Sequence, residues 1–122
     1  MADNLLTTSP DLLKDLPTVA DVCALEGDDP ALVTFKAWAD LRAALAGIDD
    51  GAACDVIISL ESSAYRRLVN TAPTSLAGVA AINAAIWTVD EGALEDHCAG
   101  TATALATIFR SSFERAKMQA AA

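Results

Sequence analysis

The run from Asp90 to Cys98, "DEGALEDHC", gathers four carboxylates, the single histidine of the chain and a thiol. These side chains hold metal ions or move protons, so their spacing decides what chemistry is open to them. On a helix, at about 100° per residue, Glu91, Glu95 and Cys98 share one face and His97 lies about 100° from Cys98. Two ligands placed in that way do not converge on one ion. The Glu-x-x-His pair of di-iron bundles is broken by Leu94, which stands three residues before His97. Zinc requires more Cys and His than this run supplies. Cys98 points to an apolar side, where thiols are inert. A helix start collects acids for its own reasons, because its positive dipole end stabilises them. Asp90, Glu91, Glu95 and Asp96 are accounted for in that way. The expectation is no catalytic residue, no cofactor and no metal, with a small-ligand or metal-binding bundle on 90–98 as an alternative.

The elements that would position this run are helices. Ala and Leu dominate the apolar 53% of the 122 residues, and both rank high in helix propensity. No strand alternation and no repeat is visible. Asp29-Pro30 opens a helix over about 30–47, with Leu32, Phe35, Trp38, Leu41 and Leu45 at helical spacing. After the turn "IDDG", a second spans about 51–70, with Ala53, Ile57, Leu60, Ala64 and Leu68 on one face. A third runs over about 74–89 behind Pro73, with Thr74 or Ser75 as its cap. A fourth runs over about 93–117, with Leu94, Cys98, Thr101, Ala102, Leu105, Ile108, Phe109, Ser112 and Phe113 on one broad face. The fold class is all-α, a four-helix bundle-like domain over 30–122 behind an acidic, partly helical N-terminal arm over 1–29.

The formal charge of −9 is unevenly placed. The arm holds seven acids against Lys14, a net of −6, while the other 93 residues hold ten acids and seven bases. No basic footprint for nucleic acid exists, so direct DNA or RNA binding is not expected. Cys23, Cys54 and Cys98 are odd in number and widely spaced, which reads as free thiols in a reducing cytoplasm. The first residues lack the basic and apolar regions of a secretory signal. No run reaches the length of a membrane span. Within the arm, Ser9-Pro10-Asp11 starts one short helix and a second runs from about Thr18 to Glu26. Leu12, Leu16, Val19 and Cys23 make an apolar stripe expected to cover part of the core if the two pieces stack, while Asp11, Leu12, Asp15, Leu16, Asp21 and Glu26 are the candidate contact for a protein partner.

The third helix has no polar side. Leu76, Val79, Ile82, Ile86 and Val89 project one way, with Trp87 at the margin. Ala77, Gly78, Ala80, Ala81, Ala84 and Ala85 project the other way. Such a helix is covered on both sides, and its small residues admit a close neighbour. Four helices in a monomer are hard pressed to cover it, so pairing with a second copy, as a homodimer, is expected. Asn83 falls among the large residues. A buried amide requires a partner, and one buried Asn selects a packing register. Asn83, Ala77, Ala81, Ala84, Ala85 and Trp87 are therefore the expected packing and register residues.

"DDPALVTFKAW" followed by "TAPTSLAG" resembles a group of short uncharacterised bacterial proteins, found mainly in alphaproteobacteria and often in phage-related regions. The likeness covers about 29–115 and implies a small helical protein with an Asp-Pro start and a Thr-x-Pro-x-Thr/Ser-Leu-Ala-Gly motif. It implies no activity and carries over no site residue. The functional expectation is a non-enzymatic, cytoplasmic protein-interaction or regulatory protein. The alternative is a phage-encoded inhibitor of a host nucleic-acid-binding or defence protein, its acids imitating phosphate.

Overall fold

The computed structural model describes residues 16–97 and 99–121, and for 91–97, 99, 120 and 121 it describes the backbone course alone. The described residues form five helices: α1 (Val19–Cys23), α2 (Pro30–Leu45), α3 (Gly51–Val69), α4 (Leu76–His97) and α5 (Ala99–Ala121). The all-α, bundle-like architecture agrees with the sequence reading. None of these helices is long and apolar enough to cross a membrane.

Local chemistry starts each element where it begins. Thr18 and Asp21 form a reciprocal capping box on α1, with Asp21 N–H donating to Thr18 Oγ1 at 3.1 Å and Thr18 N–H to Asp21 Oδ2 at 2.9 Å. Pro30 occupies the first turn of α2, where its missing N–H costs nothing. Asp50 caps α3 through the Ala53 N–H at 3.2 Å. The end of α3 closes on side chains, as Asn70 donates to the Arg66 carbonyl at 2.7 Å and the Thr71 hydroxyl to that of Arg67 at 2.6 Å.

α4 is the central element, packed by α5, α2, α1 and, lightly, α3. Ala80, Ala81, Ala84 and Ala85 are buried, as are Ala102, Ala106 and Ala116 on α5. Small residues on both helices of the most extensive pair allow the close approach that the alanine face predicts. Trp38, Phe35, Phe109, Leu32, Leu68 and Val22 fill the remaining centre.

The alanines of α4 are buried within one chain, with α5, α2 and α1 packed against that helix. Two expectations require correction. The boundary at 89–93 is a kink rather than a gap: Asp90 leaves helical geometry at φ −112° and ψ 16°, and the helix resumes to His97. Asp90 and Glu91 thus stand at the start of a short segment, while Glu95 and Asp96 fall in its last turn before 97. Leu60, placed on the core face of the second helix, is 50% exposed, and Ile108 on the last helix is 47% exposed. In both helices the buried face is rotated toward smaller or polar residues, Glu61 and Ala64 in α3 and Ala102 and Ala106 in α5. The described part of the arm packs on the core, in keeping with its apolar stripe: Leu16, Val19 and Cys23 lie against the core, and Val22 and Leu25 are buried in it.

Candidate functional site

The two halves of the sequence motif, more than forty residues apart, meet at Asp29. Its side chain caps α2, Oδ1 accepting the Ala31 N–H at 2.8 Å. Oδ2 accepts the Thr74 N–H at 2.9 Å and the Ser75 hydroxyl at 2.6 Å, just ahead of α4. Ser75 Oγ in turn receives the Gly78 N–H at 3.4 Å, capping α4 itself. One carboxylate thereby ties two helix N-termini together, where both dipoles favour its charge. Gly78 is required by this arrangement, since a Cβ there would collide with all three terminal atoms of the Asp29 carboxylate. The motif is an interlock between α2 and α4.

Burial alone would raise the Asp29 pKa, but hydrogen bonds from the Ser75 hydroxyl and the Ala31, Thr74 and Ser75 N–H groups outweigh it. The carboxyl is left below the ordinary aspartate range. A depressed folded-state pKa contributes stability that is complete above the unfolded value of about 3.9 and is lost as pH falls through the folded value. Asp29→Asn is therefore expected to flatten the acid limb of stability below about pH 4. Urea unfolding midpoints of both proteins from neutral pH to pH 2.5 or so check this, and parallel acid limbs would reject it.

A second polar cluster joins α2 to α3. Trp38 Nε1 donates to Glu61 Oε1 at 2.8 Å, and Arg42 Nη1 reaches the same oxygen at 3.3 Å while its guanidinium lies 5.2 Å from the Trp38 ring centroid. Tyr65 packs beside Trp38 with centroids 6.1 Å apart and lies near Asp90 at the α4 kink. Burial, then the Asp90 charge, pushes the Tyr65 hydroxyl pKa up, so it stays protonated. Trp38 is wholly buried and Glu61 nearly so, which makes this cluster a strut between helices. The Cys23 thiol is likewise raised, by burial and then by the charge of Asp40, with Lys36 opposing, which leaves it a poor nucleophile.

The strut decides which side of α3 faces out. Glu61, Ala64 and Leu68 turn inward, and only the last two are buried apolar residues of that helix. Tyr65 marks the flank facing α4. Leu60, five residues earlier, is about 140° around the helix from it. Val56 and Leu60 therefore lie on the flank turned away from α4, 60% and 50% exposed. On α2, Val33, Ala37 and Ala44 are exposed on the side away from the core, with half-buried Leu41 at its edge. Since α2 and α3 form an antiparallel hairpin, these residues make one outer face, apolar but for the exposed Asp40 between Ala37 and Ala44. Sequence periodicity hid this face because it assigned Leu60 to the core; Glu61, beside it and within reach of Trp38, was the available signal.

The other expected residues are placed as follows. Ala81, Ala84, Ala85 and Trp87 are buried, Ala77 half-buried. Asn83 is buried and its amide donates to the Val79 carbonyl of its own helix at 2.9 Å, so the hydrogen bond seen does not cross between helices. Its Oδ1 and the Trp87 Nε1, one turn on, are buried without a hydrogen-bond partner. Asn83→Leu is therefore expected to leave stability unchanged or raise it by about 1 kcal/mol, read as thermal midpoint. A fall of several degrees would instead assign the amide a cross-helix role. Leu16 packs against the core, Asp21 serves as a cap, and Glu26 borders a groove of about 340 Å³ beside Asp29, Ala77 and Gln119. Asp11, Leu12 and Asp15 lie outside the described residues, as do the side chains of 91–98. Among the described residues no group of three metal-ligating side chains converges.

Comparison with models of protein families, with curated proteins and with solved structures gives no match.

Proposed function

We propose that this is a non-enzymatic protein-interaction protein that works through the outer face of the α2–α3 hairpin, with the acidic N-terminal residues as an accessory contact. The observation that carries the reading is the imbalance of α3. Its 19 residues bury Ala64 and Leu68 but leave Val56 and Leu60, on the flank turned away from α4, 60% and 50% exposed. Isolated exposed leucines need no explanation, but an apolar face shared by two adjacent helices is the usual mark of a contact surface. The polar elements described above support this reading, since each has a structural occupation: Asp29 joins helix starts and Glu61 braces Trp38.

Leu60→Asp tests it. The position is half exposed, so folding stability should move by less than about 0.5 kcal/mol. The variant should lose the partner that the wild-type chain retains in affinity capture. Identical captured proteins from both would reject the hairpin face as the working surface.

A further inference from the structure

We infer that the partner of the hairpin face is a second copy of this chain, seated face to face with α3 running antiparallel to α3. The inference rests on the interaction reading above and deepens it. Three features of the structure select this occupant. The first is shape: α2 and α3 present an open two-helix layer, and a second such layer closes it into a four-helix arrangement in which each apolar face covers the other. The second is extent. The 16 residues of α2 make a layer about 24 Å long, and two helices side by side are about 20 Å across. A lone helix would cover only half of that layer, whereas a second hairpin of the same size covers all of it.

The third is charge, which also chooses the orientation. Two hairpins can stack with their loops at the same end or at opposite ends. The loop end of α3 carries Asp49 and Asp50, and its far end carries Arg66 and Arg67, all exposed. Stacking with loops together would oppose acid to acid and base to base. Stacking with loops apart lays Arg67 of each copy over the loop of the other and centres the contact on Leu60, where the two-fold axis crosses. Complementary ends of this kind fix register and exclude the alternative. The surface differs from the alanine face of α4, which the chain covers by itself.

Sedimentation equilibrium of the full chain across the micromolar range should show a monomer–dimer equilibrium. Leu60→Asp should weaken it about 30-fold or more, as expected for a central apolar anchor. R67E and D49K, each counted twice by symmetry, should each weaken it about tenfold. An equimolar mixture of R67E and D49K should regain affinity in the mixed dimer, because every opposed pair then carries opposite signs. Circular dichroism melts accompany each variant to show that the fold is intact. A monomeric wild type overturns self-pairing, as does a dimer that the substitutions leave unchanged or a mixture that regains nothing. If the wild type is monomeric while Leu60→Asp still loses a captured protein, only the identity of the partner falls and the interaction reading stands.

Discussion

Asp29→Ala is expected to lower the free energy of unfolding by about 3 kcal/mol at neutral pH. The Ala31 and Thr74 N–H groups and the Ser75 hydroxyl donate to this carboxylate, and the substitution leaves them without that acceptor. Loss of a cap costs about 1 kcal/mol, and hydrogen bonds to a charged group contribute about 1.5–3 kcal/mol. Water can reach part of the vacated site through the groove that Asp29 borders, which keeps the total below the simple sum. Urea titration monitored by the far-ultraviolet helix signal measures the loss. A loss under about 1 kcal/mol would mean that water replaces the carboxylate fully, and that the two helix starts are not interlocked.

Gly78→Ala is the second large effect, and its sign opposes the ordinary rule. In a helix interior, Ala is favoured over Gly by about 1 kcal/mol. At position 78 the added methyl would occupy the space of the Asp29 carboxylate, and the nearest atoms belong to a group held by three hydrogen bonds. Either the carboxylate gives up bonds or α4 moves away from α2. A net destabilisation of about 2 kcal/mol is expected, in the range of overpacked sites. The same substitution placed in the Asp29→Ala background should become neutral or stabilising, because the obstructing atoms are gone. That reversal is a coupling between sites in direct contact, read from a double-mutant cycle. Additive losses in the double variant would show that Gly78 serves another packing role.

Asp29 and Gly78 show how far the sequence reaches. Asp29-Pro30 and Pro73-Thr74-Ser75 are each recognisable as helix starts, since capping chemistry is local and lies within three or four residues. Their meeting is not legible, because nothing in either segment specifies the other across more than forty residues of intervening chain. The alanines of α4 behaved similarly. Their close packing followed from residue size, but which helices cover them, chiefly α5 with α2 and α1, depends on contacts between distant segments.

The outer face of the hairpin teaches the same lesson at the level of the candidate site. Ile57, Leu60, Ala64 and Leu68 share a helical face as well as Ile57, Glu61, Ala64 and Leu68 do, so periodicity alone preferred the all-apolar set. The indole N–H of buried Trp38 requires an acceptor, and Glu61 supplies it at 2.8 Å, which rotates α3 and leaves Leu60 outside. By itself the sequence determined the helical class, four of the main helices to within a few residues of most ends, the helix starts and the small-residue packing, all of which depend on neighbours in the chain. Only the tertiary structure decided the burial of α4 within one chain, the joining of two helix starts by Asp29 and the side of α3 that faces out. Those outcomes depend on contacts between distant segments, where a single satisfied polar group outweighs the pattern of apolar residues around it.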